Sequence, residues 1–156
     1  MIQYYTVFHS CGMLKLHVIL WVVLLKPKKS YLFCLKLYHE ENVKYEQLIT
    51  KAAIIKGNAI VIDLRDCEPI PAGNRFLEYV LYPEQNISLR IVDGKKKEFA
   101  MISVGRSIIN RTSTIDVGVL VLKYGGGGHK RVGTCQVSYE NVDQVVDEIL
   151  NVINAH

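Results

Sequence analysis

The chain has 156 residues, 49% of them hydrophobic and 22% charged, with 19 basic and 15 acidic side chains giving a formal net charge of +4. This composition excludes disorder and fibrous repeats, and the length allows a core to form without a metal or disulfide staple. The small positive excess permits an anionic partner but falls short of what a dedicated duplex-DNA binder carries. Cys11, Cys34, Cys67 and Cys135 form no CxxC pair, and the 5 histidines do not cluster with them. Buried thiols in a reducing cytoplasm are therefore expected, rather than a zinc site or a disulfide scaffold.

Residues 1–44 carry no motif and form an unassigned apolar segment. The run Leu16–Leu25 lies between Lys15 and the basic residues Lys26, Lys28 and Lys29. It is too short for a membrane-spanning helix, which needs about 20 such residues. Its main charge follows the apolar stretch, the reverse of a signal peptide. Its β-branched and aromatic content predicts a buried strand, and Tyr31–Tyr38 predicts a second one beyond the KPKK turn. A membrane-associated hairpin and a misfitting remnant of something longer are the alternatives, and a membrane partner is not expected.

From residue 45 to 156 the pattern is that of one regular domain. KYEQLITKAAII predicts a helix with Tyr45, Leu48, Ile49, Ala52 and Ala53 on one face, ended by Gly57-Asn58. Ala59–Leu64 is a short apolar strand that stops at Arg65-Asp66. Pro69 and Pro71 mark a loop, and NRFLEYVLY predicts a helix with Phe76, Leu77, Val80 and Leu81 inward, stopped by Pro83. Ile87, Leu89 and Ile91 alternate, Asp93-Gly94 predicts a type I′ turn, and EFAMISVGRSII returns as the partner strand. Thr114 is the expected N-cap of a helix over Ile115–Lys123. VGTCQVS is a strand, and Asn141 opens a last helix with Val142, Val145, Val146, Ile149 and Ile153 inward. The predicted class is α/β, a mixed β-sheet with flanking helices.

One segment works against economical folding. Gly125, Gly126, Gly127 and Gly128 stand in succession, followed by His129, Lys130 and Arg131. Each glycine costs about 0.5–1 kcal/mol of extra backbone entropy relative to alanine. A helix C-cap accounts for one of them, Gly125. The others suit a backbone that approaches a ligand closely and turns N–H groups toward an anion, with His129, Lys130 and Arg131 as side-chain donors to phosphate. The structural alternative is a floppy loop with a solvated basic tail. Neither familiar phosphate motif fits. A P-loop would place Ser or Thr where Arg131 stands, and a Rossmann fingerprint lies between strand and helix rather than helix and strand.

The stretch Tyr124–Gly133 resembles the GGGH motif of the DHH-associated C-terminal domain. That domain follows the catalytic domain in DHH phosphoesterases, including nano-RNases, phosphoadenosine phosphatases and exopolyphosphatase-related proteins, and a similar one closes alanyl-tRNA synthetases. GNAIVIDLRD, PEQNISLRI, SVGRSIINRTSTIDVGVL and GTCQV look like the exopolyphosphatase-related branch, and the resemblance covers residues 45–156. It implies a substrate-binding domain of the DHH-associated type, with the glycine loop on the phosphate of short RNA, a nucleotide or polyphosphate. It also implies a separate catalytic domain with an Asp-His-His triplet and two Mn²⁺ or Mg²⁺. None of His9, His17, His39, His129 and His156 follows an aspartate or adjoins another histidine. Asp63 and Asp66 alone cannot supply the convergent ligands of a two-metal centre. No catalytic residue, metal ligand or cofactor is therefore expected in this chain, and on its own it is expected to be inactive.

The family also keeps an arginine near the end of the strand before the glycine-loop helix, in contact with phosphate. Arg111 in NRTS is the first choice for it and Arg106 in SVGRS the second, against a surface arginine paired with Asp116. Expected partners are the phosphorylated substrate and a DHH catalytic domain in a cytoplasmic setting, with a homodimer left open. Two other readings remain: a stand-alone nucleic-acid-binding module like the alanyl-tRNA synthetase C-terminal domain, and a structural or dimerising remnant that binds nothing.

Overall fold

The computed structural model describes residues 28–155, with side chains from residue 32 onward. The strand expected at Leu16–Leu25 lies outside them. The described residues divide between two compact units. The first holds residues 28–47 with Pro71–Arg75, and the second holds Leu48–Ile70 with residues 76–155.

Helix α1, Lys28–Ala52, supplies the regular structure of the first unit and continues into the second. It corrects the strand expected at Tyr31–Tyr38. Leu, Lys, Glu and Gln dominate residues 35–48, and their low helix cost over a long segment outweighs the local β-branched and aromatic signal. Leu32 and Phe33 are largely exposed on it. Within the first unit Tyr45 is buried, the Ala72 N–H donates to Glu41 at 3.3 Å, and Gly73 lies directly against the Tyr45 ring.

The second unit contains a six-stranded mixed sheet. Its strands are β1 (Ala53–Lys56), β2 (Ala59–Asp63), β3 (Ile87–Asp93), β4 (Ala100–Arg106), β5 (Gly127–His129) and β6 (Val132–Val137), in the order β1-β2-β3-β4-β6-β5. Every neighbouring pair is antiparallel except β2–β3, whose parallel connection runs through helix α2, Leu77–Leu81. Helices α3 (Val117–Leu122) and α4 (Val142–Asn154) complete the unit. Alternation sends Leu89, Ile91, Ile102, Val104, Cys135 and Val137 to one face of the sheet. There they meet Val117, Leu120 and Val121 of α3 and Val142, Val146, Ile149 and Ile153 of α4 in one buried cluster. The last helix thus begins and faces as its sequence predicts. On the opposite face, β3 carries Ser88 and Arg90. The Tyr79 hydroxyl of α2 meets Ser88 Oγ at 2.7 Å, and Glu78 takes an ion pair from Arg90 at 2.8 Å.

Several boundaries differ from expectation for identifiable reasons. The helix expected through Ile55 stops at Ala52, because Ile54 and Ile55 pair as β1 with β2. Gly57-Asn58 is the turn of that hairpin, with Gly57 at φ +65° and Asn58 N–H held by Asn154 Oδ1 at 2.9 Å. The helix expected over NRFLEYVLY shortens to α2 and turns its other face inward. Glu78 and Tyr79 are buried because β3 offers them Arg90 and Ser88, while Phe76 and Val80 are exposed. No two-residue turn forms at Asp93-Gly94. The β3–β4 ladder closes at Asp93 and Ala100, and a 3₁₀ turn at Lys95–Lys97 joins them. The Asp93 carboxylate is occupied by the Tyr139 hydroxyl, the Asp66 N–H at 3.0 Å and the Lys97 amine at 3.4 Å, which hold the longer loop in place. These contacts, the Tyr139 hydrogen bond foremost, lower the Asp93 pKa. Finally, α3 is capped by Asp116, whose Oδ1 accepts from Val119 N–H at 3.1 Å, rather than by Thr114.

Candidate functional site

The glycine run is a strand and a turn, not a floppy loop. Gly125 ends the α3 segment at φ +71°, the left-handed position a C-cap uses. Gly127–His129 then forms β5, paired Gly127↔Thr134, Gly128↔Gly133 and His129↔Val132. Lys130 and Arg131 are the two residues of a tight hairpin turn. Their carbonyls are both taken: Lys130 O accepts from Val117 N–H at 3.2 Å and Arg131 O from Arg106 N–H at 2.8 Å. The hairpin is thereby tied to the first turn of α3 and the end of β4.

Close packing accounts for most of the glycines. A methyl at Gly126 would stand 2.7 Å from Cys135 Cβ, and one at Gly128 would collide with the backbone of Val132 and Gly133. Gly133 faces Val121, and a methyl on Gly118 of α3 would stand 3.2 Å from the Gly128 and His129 carbonyls. The sequence offered Gly118 and Gly133 as signals of this helix–hairpin contact, and their part in it was not read. Gly127 differs from its neighbours. Nothing lies within 4 Å of the methyl it lacks, and its backbone is extended. Packing does not require a glycine there.

His129, Lys130 and Arg131 are exposed at the tip. Arg106 lies beside them. It is the last residue of β4, bonded through its backbone to Arg131, and its guanidinium donates to the Ser113 carbonyl. Arg111 lies in the exposed loop after β4, where its Nε donates to Ile108 O at 3.0 Å. The backbone bond from Arg106 to Arg131 brings Arg106 to the tip of the Gly125–Arg131 segment. At the base of the hairpin, burial and a hydrogen bond to Glu148 push Tyr124 up to about 12, so it stays neutral. Burial also raises the Cys135 thiol, which makes it a poor nucleophile.

Asp63 and Asp66 are both paired with basic side chains. Arg65 grips Asp63 through both oxygens, and Lys97 pairs with Asp66. Among the described residues no group of three or more His, Cys, Asp and Glu could hold a metal ion, and no helix is long and apolar enough to cross a membrane.

No family model and no curated protein matches the chain. Solved structures do. The pGpG-specific phosphodiesterase PggH from Vibrio cholerae superposes with a TM-score of 0.79 at 37% identity, covering 85% of this chain and 45% of that one. The fold is that of the DHH-associated domain. An exopolyphosphatase-related protein from Bacteroides fragilis shares the DHH-associated fold at 12% identity and a TM-score of 0.57, over 94% of this chain and 45% of that one. The DHH domain of a member of a ribosomal-protein family does so at 16% identity and a TM-score of 0.51, over 92% and 35%. This DHH-associated chain therefore spans less than half the length of PggH.

Proposed function

We propose that this chain is the substrate-binding part of a cytoplasmic DHH-type phosphodiesterase that acts on short linear oligoribonucleotides such as pGpG. The observation that carries the reading is the 37% identity with a pGpG-specific phosphodiesterase over 85% of this chain. The glycine hairpin supports it. Gly127 leaves one backbone face open beside three cationic or donor side chains, an arrangement suited to phosphate. In this reading His129, Lys130 and Arg131 bind the phosphate together with Arg106, which takes the role first given to Arg111 because it adjoins the hairpin tip. Hydrolysis requires a second domain carrying Mn²⁺ or Mg²⁺, since the residues described here do not fit a two-metal centre. This chain's share is to bind and orient the phosphate.

The test is a titration of pGpG into the 156-residue chain at several salt concentrations. Two or three phosphate contacts give a slope of log affinity against log salt of about −1.4 to −2.1. His129→Ala and Arg106→Ala should each weaken binding, with the fold intact by circular dichroism. The absence of binding at low salt, or binding by both variants as strong as the parent's, refutes the reading in favour of an inert structural hairpin.

A further inference from the structure

Helix α3 buries one side and leaves the other bare. Val117, Leu120 and Val121 go to the core, while Val119 is 60% exposed and Leu122 65%. Helical spacing puts Ile115, Val119 and Leu122 on one stripe. Beside it runs an open groove of about 270 Å³, lined by Ile115, Val119 and Leu120 and, from α4, by Val152. Asp116 and Lys123 line the same groove and are both exposed. They lie on either side of Val119, about 10 Å apart along the helix axis. Asp116 Oδ1 accepts the N-cap bond from Val119 N–H, and Oδ2 remains for a cation.

Single apolar residues on a surface are ordinary, but a contiguous apolar strip rimmed by charge marks an interface. The order of charge along this strip selects its occupant. Val119 stands midway between the acid and the base. A second copy of α3 laid antiparallel, about a two-fold axis near Val119, sets Asp116 of each copy against Lys123 of the other. The same rotation puts Val119 against its own counterpart and brings Leu122 toward Ile115 of the second copy. A copy laid parallel would face acid with acid and base with base, which is unfavourable. We propose that this face of α3 is the contact of a symmetric dimer of the chain. The contact is small, so the dimer is weak, and its exposed ion pairs set orientation more than strength. The proposal is independent of the phosphate reading of the hairpin.

Sedimentation equilibrium of the 156-residue chain, up to about 1 mM, should show monomer and dimer and nothing larger. Val119→Lys should weaken the dimer about tenfold or more, by placing a charge at its apolar centre. Lys123→Glu and Asp116→Lys should each weaken it alone, because each sets like charges together at both ends. Mixed in equal amounts, these two variants should pair about tenfold more tightly with each other than either does with itself, since both facing pairs are then opposite in sign. A monomeric parent, a larger assembly, a dimer indifferent to Val119→Lys, or a mixture no tighter than its components overturns the proposal and leaves the phosphate reading untouched. If a substitution prevents folding, isotope-filtered NOEs between labelled and unlabelled copies of the parent decide. Intermolecular contacts from the Val119 and Leu122 methyls support the α3 dimer, and their absence overturns it.

Discussion

Replacing single glycines of the hairpin with alanine separates packing from ligand approach. At Gly128 the added methyl meets the backbone of Val132 and Gly133, and backbone cannot rotate away as a flexible side chain could. Prying β5 from β6 has the cost of an overpacked core, about 1–3 kcal/mol. For a chain of this size that lowers Tm by about 2–12 °C. At Gly127 the methyl points into open space and φ is outside the left-handed region. Alanine there restricts the unfolded chain without straining the folded one, a gain of about 0.4–1 kcal/mol, so Tm rises by roughly 1–4 °C. Thermal melts of the two variants against the parent give the answer. The same pair titrated with pGpG should show Gly127→Ala stable but weakened in binding. A destabilised Gly127→Ala or a neutral Gly128→Ala would refute this account of the hairpin.

Asp116→Ala removes the N-cap of α3 and should cost about 1 kcal/mol, read as a lowered denaturant midpoint at unchanged slope. The Tyr139 hydroxyl, the Asp66 N–H and Lys97 hold Asp93 below the ordinary carboxylate pKa near 4. The stability this contributes is fully present above pH 4 and is lost as pH falls through the lowered folded value. Asp93→Asn should flatten that part of an acid melt series. The chain alone should not hydrolyse pGpG with or without Mn²⁺. Metal-dependent turnover abolished by a substitution within it would overturn that expectation.

Much of the second unit was legible because alternation and turn residues act locally. Ile87, Leu89 and Ile91 reach the core, as do the inward positions of α4, since each pattern has only one face to bury. What was missed depends on partners distant in sequence. Glu78 and Tyr79 turn inward because Arg90 and Ser88 receive them. Residues 31–38 read as a strand because a short apolar run carries no period of its own, and the helix-forming residues that decide it lie further on. The glycine motif identified the fold, but it could not tell which glycines serve packing. That depends on β6, whose Thr134, Cys135 and Gly133 press on Gly126 and Gly128. The tie between Arg106 and the hairpin likewise depends on register: the β4–β6 ladder brings the Arg106 N–H onto the Arg131 carbonyl.

The two carbonyls at the hairpin tip have a consequence for rates. With Lys130 O anchored to Val117 and Arg131 O to Arg106, the turn spends its conformational freedom when the domain folds rather than when an anion arrives. If the proposed phosphate binding holds, the anion meets a turn whose backbone is already fixed, and encounter needs no loop-closing step. Association should track diffusion and ionic strength, and differences in affinity among hairpin variants should appear almost wholly as differences in how long the complex lasts.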